Sequence, residues 1–69
     1  MALNINKLKG RMVEKGLTAQ KLAPLLNLSE DAMYMKMSQR SEFKRSEIER
    51  ICQLLEISSD LIPEYFFAQ

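Results

Sequence analysis

A chain of 69 residues is long enough for one small domain but not for a large hydrophobic core. It has one cysteine and no histidine, which excludes an intrachain disulfide and a four-ligand Cys/His zinc site. Histidine is the most common general acid–base at neutral pH, and the sequence offers no nucleophile–base pair or metal-ligand set. We therefore expect a protein that is not an enzyme and needs no cofactor, stabilised by regular helix packing or by dimerisation.

The net charge of +1 conceals an uneven distribution of charge along the chain. Residues 1–45 contain nine Lys/Arg and four Asp/Glu, a net charge of +5, whereas residues 46–69 contain one and five, a net charge of −4. This asymmetry favours a basic surface that binds a polyanion and an acidic remainder that faces away from it. An ordinary solvated surface is the alternative interpretation.

Targeting and membrane signals are not evident in the sequence. No apolar run follows Met1 as it would in a signal peptide, and no stretch approaches the ~20 apolar residues of a membrane span. We therefore expect a cytoplasmic protein in which Cys52 stays reduced. Cys52 lies at helical spacing from Ile48 and Leu55, which predicts a buried apolar role for it.

The spacing of apolar residues predicts an all-α protein with a single domain over residues 1–69. Ile5 and Leu8 begin a run of apolar residues three or four apart, which predicts a first helix of about residues 4–15. Asn4 is a suitable N-cap for this helix, and Gly16 suits the left-handed conformation after its last turn.

A second and a third helix follow closely. Thr18 is a natural N-cap for a helix that ends at Asn27, a residue that tolerates the left-handed conformation. Ser29 caps a third helix of about residues 29–38. Glu30 and Asp31 then lie in its first turn, where the helix dipole favours negative charge.

Two further helices are predicted in the rest of the chain. Apolar residues at helical spacing define a fourth helix of about residues 45–56, capped by Lys44 or by a loop residue before it. A short fifth helix starts at Ser58 or Ser59, and Pro63 falls early in it, where proline costs least.

Residues 18–38 have the features of two helices that cross closely. The inward positions are small or apolar: Ala23 in the second helix, Leu28 in the turn and Met33 in the third helix. A tight crossing near a right angle needs a small residue at the contact, which Ala23 supplies. Met37, four residues after Met33, extends the buried stripe of the third helix.

Several short segments match the pattern of a known family. They are Lys15-Gly16-Leu17-Thr18, Lys21-Leu22-Ala23, Leu26, Leu28-Ser29 and Met33. Together they resemble the helix-turn-helix of the Cro/repressor family, the xenobiotic-response-element family of bacterial and phage regulators. Residues 41–43, 46–48 and 54–58 resemble the fourth and fifth helices of small phage regulators, so the resemblance extends over about residues 5–67.

This resemblance implies a compact five-helix, lambda-repressor-like domain with a central helix-turn-helix. It also implies sequence-specific binding to double-stranded operator DNA by a transcriptional regulator of phage or mobile-element type, at the nucleoid of a bacterial host. In such proteins the third helix lies in the major groove, with its N-terminal residues at the base edges. Four features depart from the family pattern: alanine replaces glutamine at Ala19, Asn27 replaces glycine, a glycine is missing near Gln39, and Pro24 lies within the second helix, which it could kink.

By this resemblance, the base-reading residues are Glu30, Asp31, Tyr34 and Met35. A carboxylate can accept a hydrogen bond from the amino group of cytosine, and Tyr34 or Met35 can pack on a thymine methyl. Alternatively, both carboxylates only stabilise the helix N-terminus, because two negative charges repel the phosphates beside the groove.

Phosphate contacts are expected at the start of the second helix, at the end of the third helix and in the loop after it. For each lysine taken alone, simple solvation is the alternative. The candidates are Thr18, Gln20, Lys21, Lys36, Ser38, Gln39, Arg40 and Lys44.

Three consecutive aromatic residues, Tyr65, Phe66 and Phe67, lie near the end of the sequence. A core this small cannot accommodate all three, so at least one should lie at the surface. They are candidates for a homodimer contact, and packing over the fourth helix is the alternative.

A second function is compatible with the same fold. Glu30 and Asp31 place negative charge where DNA would bind, and Ala19 removes a side chain that often touches a phosphate in the family. These features favour a protein-interaction module, an antirepressor or modulator with reduced DNA affinity.

Overall fold

Helices make up most of the chain between residues 3 and 67, the part that this computed structural model describes. No strand occurs within these residues, so the predicted all-α class with five helices is confirmed. A 3₁₀ turn, Ser59–Leu61, stands where the fifth helix was expected to begin. The helices are α1 (Ile5–Glu14), α2 (Ala19–Leu25), α3 (Glu30–Met37), α4 (Arg45–Leu55) and α5 (Ile62–Phe66).

The first three helices begin at the N-caps that the sequence predicts. The side-chain oxygens of Asn4, Thr18 and Ser29 accept backbone N–H groups three residues later, at 3.2, 3.2 and 3.1 Å. Each bond satisfies a donor that the helix itself leaves free. At α4 the capping is different: the backbone N–H of Lys44 donates to the Glu47 carboxylate at 2.8 Å.

Left-handed backbone separates the helices. Gly16 and Asn27 have φ angles of 69° and 59°, which confirms the conformation predicted for both. Gln39 has a φ of 67°, near the position where the resembled family has a glycine. Glu56, at the end of α4, has a φ of 54°, and no sequence signal indicated this. The turns are therefore fixed at considerable backbone cost for residues other than glycine or asparagine.

All five helices contribute buried side chains to one core. Leu8, Leu22, Met33, Ile51 and Leu55 are the largest fully buried side chains. The predicted small contact residue of α2, alanine 23, has no exposed surface, and the predicted buried residues of α3 and α4 also lie in this core. Pro24 lies within α2 on its exposed side, and the helix continues to residue 25.

The first helix is joined to the C-terminal part of the chain by polar contacts. The Arg11 guanidinium donates to the Leu55 carbonyl at 2.8 Å and to the Glu56 carbonyl at 3.0 Å, so it satisfies the C-terminal end of α4. The Asn4 N–H donates to the Tyr65 carbonyl at 2.8 Å. The Arg11 bonds hold α1 against the end of α4, and the Asn4 bond holds the start of α1 against α5. No helix within residues 3–67 is both long enough and apolar enough to cross a membrane.

Candidate nucleic-acid interface

One side of α3 is turned away from the core. Asp31, Tyr34, Met35 and Ser38, which we call the outer face of α3, line a surface depression of about 510 Å³ together with Arg40. Tyr34 and Met35 are 56% and 46% exposed, whereas the residues of α3 at positions 33, 36 and 37 are buried. The structure therefore brings together three predicted base-reading residues and two predicted phosphate contacts.

The groove beside this outer face is formed by α1 and by the start of α2. Tyr34 and Ser38 also line this second depression, of about 350 Å³, which includes the predicted phosphate contact Thr18. Lys9 and Val13 of α1 lie in the same lining, and Val13 is 77% exposed. Lys9 was not among the residues predicted from the sequence, although it lies four residues from Ile5 and from Val13, which line the same depression.

Ion pairs within the protein determine which lysine and arginine side chains are available to bind an external anion. Within residues 3–67, five lysines and arginines have a carboxylate within 4.0 Å: the pairs are Lys7–Glu64, Arg11–Glu14, Lys15–Glu56, Lys36–Glu47 and Arg45–Glu49. Four of the five acidic residues of the C-terminal part are thus neutralised by cations of the N-terminal part. The predicted separation into a basic and an acidic surface is correspondingly weaker than the sequence indicated.

The cations without such a partner in this part of the chain are Lys9, Lys21, Arg40, Lys44 and Arg50. Lys9 and Arg40 line the two depressions at the outer face of α3. Lys21 lies in the first turn of α2, where its N–H donates to Thr18. Lys44 precedes α4 and is exposed. Unpaired positive charge is therefore present around the outer face of α3.

The sequence was compared with models of protein families. The model of a family described as "Protein of unknown function (DUF739)" matches residues 1–69. The chain belongs to this family. A comparison with curated proteins gives no significant match.

In this DUF739 chain Lys36 is buried and paired, so the prediction that it contacts a DNA phosphate is wrong. Its side chain is 9% exposed, and its ammonium lies 2.9 Å from the Glu47 carboxylate and donates to the Glu42 carbonyl at 3.0 Å. Burial raises the pKa of Glu47, but the Lys44 N–H and the Lys36 ammonium outweigh it and hold that pKa below its ordinary value. The positive charge of Lys36 is therefore paired with Glu47 inside the protein and is not available to an external phosphate.

The prediction that Tyr65, Phe66 and Phe67 form a dimer contact is wrong for two of these residues. Tyr65 and Phe66 are buried, and the Phe66 ring meets the Phe43 ring edge-on with centroids 6.0 Å apart. Neither is available for a dimer contact. Phe67 is 40% exposed, as expected for at least one of the three, and lines an apolar groove of about 780 Å³ with residues of α4, including Ile48 and Cys52.

The remaining candidates have different surroundings. Glu30 is exposed beside Asp31, while the Ser29 hydroxyl accepts the side-chain hydrogen bond at the start of α3, so the two carboxylates can act on the helix only through their charge. Gln20 is exposed on α2. The Gln39 amide donates to the Leu3 carbonyl at 3.4 Å, a weak bond that an anion could replace.

Proposed function

We propose that this chain binds double-stranded DNA with sequence preference, and that α3 enters the major groove. The observation that carries this proposal is the outer face of α3: Tyr34 and Met35 are exposed on a helix whose opposite side is anchored in the core. An α-helix with its side chains is about 10–12 Å in diameter and fits a major groove about 12 Å wide.

The outer face has the chemistry of a surface that distinguishes base pairs. The Asp31 carboxylate can accept a hydrogen bond from the amino group of cytosine or adenine, and Tyr34 and Met35 can pack against a thymine methyl. Arg40 lines the same depression and can donate to a phosphate or to guanine. This arrangement supports the reading of base edges, with Asp31 as the principal polar contact.

Phosphate binding is assigned to the cations that the fold leaves unpaired around this surface. Lys9 and Arg40 would contact the backbone on either side of α3, with Lys21 and Lys44 further out. Lys9 replaces Lys36 in the set proposed from the sequence. Polar groups of Thr18, Gln20, Ser38 and Gln39 would add neutral contacts that fix the orientation.

A Cro/repressor-type regulator would act by occupying an operator in the bacterial cytoplasm, with no chemistry performed and no cofactor required. A homodimer is part of this proposal, with Phe67 as its contact in place of the buried Tyr65 and Phe66. Two copies would then bind half-sites about 34 Å apart on a palindromic operator.

The experiment is a selection of bound sequences from a random duplex library, followed by titration of the selected and of a random duplex. We expect a common sequence to emerge and Tyr34→Ala to weaken its binding tenfold or more, because the thymine contact is lost. Leu61→Ala removes an exposed apolar side chain outside the outer face of α3 and should leave affinity unchanged.

The interaction module remains a second candidate because Glu30 and Asp31 are both exposed at the start of α3. Two negative charges there repel phosphate. This function predicts that no duplex is bound even at 50 mM salt, and that outcome of the titration would replace the first proposal.

A further inference from the structure

The buried ion pair between Lys36 and Glu47 connects α3 to α4. Lys36 lies next to Met35 in the sequence but on the opposite side of the helix, and its side chain and that of Glu47 are each 9% exposed. Lys36 and Glu47 are the buried charged residues among residues 3–67. No buried side-chain nitrogen or oxygen within these residues lacks a hydrogen-bond partner.

The pair fixes more than two side chains. The same carboxylate oxygen of Glu47 lies 2.9 Å from the Lys36 ammonium and 2.8 Å from the Lys44 N–H that donates to it. The ammonium also donates to the Glu42 carbonyl at 3.0 Å and lies 5.9 Å from the centre of the Phe43 ring. One charged cluster thus binds the start of α4 and the segment of residues 38–44, which we call the α3–α4 segment.

Arg40 and Lys44, two of the proposed phosphate contacts, belong to the α3–α4 segment, and Arg40 lines the depression at the outer face of α3. The segment has no regular structure of its own apart from turns. Near α3 it is held by the Arg40 and Ser41 N–H groups, which donate to the Met35 carbonyl at 2.9 and 3.3 Å. Further along, its placement depends on the contacts that Lys36 and Glu47 provide to Glu42 and Lys44, together with the packing of Phe43 on Phe66.

A buried ion pair of this kind adds little to the stability of a folded protein. Removing two charges from water is costly, and apolar residues of similar volume in place of a buried ion pair often leave stability unchanged or increase it. Hydrogen bonds differ from apolar contacts in that they have preferred directions and lengths. The hydrogen bonds of this cluster therefore limit how α3 can lie against α4 more narrowly than an apolar contact does.

We infer that Lys36 and Glu47 are positioning residues that set the pose of α3 and the α3–α4 segment, and with it the discrimination between DNA sequences. The inference rests on the proposed DNA binding. Discrimination requires base contacts aligned within a fraction of an ångström, whereas binding through phosphates tolerates displacement of a flexible lysine or arginine. The pair should therefore affect the two kinds of binding unequally.

The test replaces both charges at once, Lys36→Met with Glu47→Leu, so that neither is left unpaired in the core. We expect a folded protein whose preference for the selected duplex over a random duplex falls at least tenfold. Its affinity for the random duplex and the salt dependence of that affinity should not change, since the unpaired cations are retained. A folded variant with undiminished preference would overturn the inference.

The matched control removes a different ion pair, Lys7→Gln with Glu64→Gln, which joins α1 to α5 and lies at the surface. It also preserves the net charge, and we expect it to keep the full preference. If the first variant does not fold, Glu47→Gln retains an acceptor for the Lys44 N–H and serves instead, with a smaller expected loss of preference. An unchanged preference in that folded variant would also overturn the inference.

A measurement on the free protein separates this inference from the proposed function. Amide hydrogen exchange of the α3–α4 segment should accelerate at least tenfold in the Lys36→Met/Glu47→Leu variant and stay unchanged in the control. Accelerated exchange in a protein whose wild type binds no duplex would refute the DNA function while supporting the positioning role. Unchanged exchange would refute the positioning role, whatever the wild type binds.

Discussion

Replacing Arg11 by methionine should weaken the fold far more than replacing Arg50, an exposed cation on α4. The Arg11 guanidinium bonds the Leu55 and Glu56 carbonyls at 2.8 and 3.0 Å, and its side chain is 27% exposed. A hydrogen bond from a charged group contributes about 1.5–3 kcal/mol when shielded from water, and the bond to Glu56 is solvent-exposed and contributes little. Methionine retains the apolar part of the side chain, so we expect a loss of about 2 kcal/mol from the first bond.

Urea and thermal unfolding measure this loss. In a domain of this size, about 2 kcal/mol corresponds to a fall in Tm of about 8–16 °C. Arg50 contacts Gln53 at 3.5 Å on the surface, and Arg50→Met should cost less than about 0.5 kcal/mol. Equal losses for the two variants would show that Arg11 does not hold the end of α4 as described.

Three further predictions test other parts of the account. Replacing Glu30 by glutamine together with Asp31 by asparagine should cost less than about 2 kcal/mol of stability. In DNA titrations the double variant should bind the selected duplex more weakly by about 1–3 kcal/mol and bind a random duplex more tightly. Tighter binding to both duplexes would mean that neither carboxylate reads a base. The pKa of Glu47 is lower in the folded protein than its ordinary 4.5, so the unfolded chain binds more protons there. The stability that this carboxylate contributes is therefore present above pH 4.5 and is lost as the pH falls further. Urea unfolding between pH 7 and pH 3 should show a loss of stability that is smaller in the Lys36→Met/Glu47→Leu variant, and identical pH profiles would contradict this. Gln39→Gly should raise the free energy of unfolding by about 0.5–1 kcal/mol, since Gln39 has a φ of 67° and its side chain makes one weak bond, and a destabilised variant would contradict the account of that turn.

The helix starts were predictable because their causes are local. Asn4, Thr18 and Ser29 each bond a backbone N–H three residues away, so the residue type and its position are sufficient. The left-handed turn at Asn27 was predictable for the same reason. For Glu56 the left-handed conformation depends on distant partners, because the chain at this point is held by Arg11 and by Lys15.

The site was predictable only where exposure follows from helix periodicity. Tyr34 and Met35 lie opposite the apolar stripe of α3, so their exposure could be derived from spacing. Lys36 could not be assigned in this way, because a long side chain goes into the core only if a partner is there, and Glu47 is eleven residues away on another helix. The inward direction of Phe66 likewise depends on the Phe43 ring, which sequence spacing does not locate.

The salt dependence of binding to a random duplex tests the proposed interface most directly. Phosphate contacts by Lys9, Lys21, Arg40 and Lys44 predict a slope of log K against log salt concentration of about −3.6 per protein chain. Arg40→Gln should reduce its magnitude by about 0.9, whereas Arg50→Gln, which removes the same charge from α4, should leave the slope unchanged. Absence of salt-dependent binding at 50 mM salt, or an equal effect of the two variants, would contradict the assignment of a DNA interface to the outer face of α3.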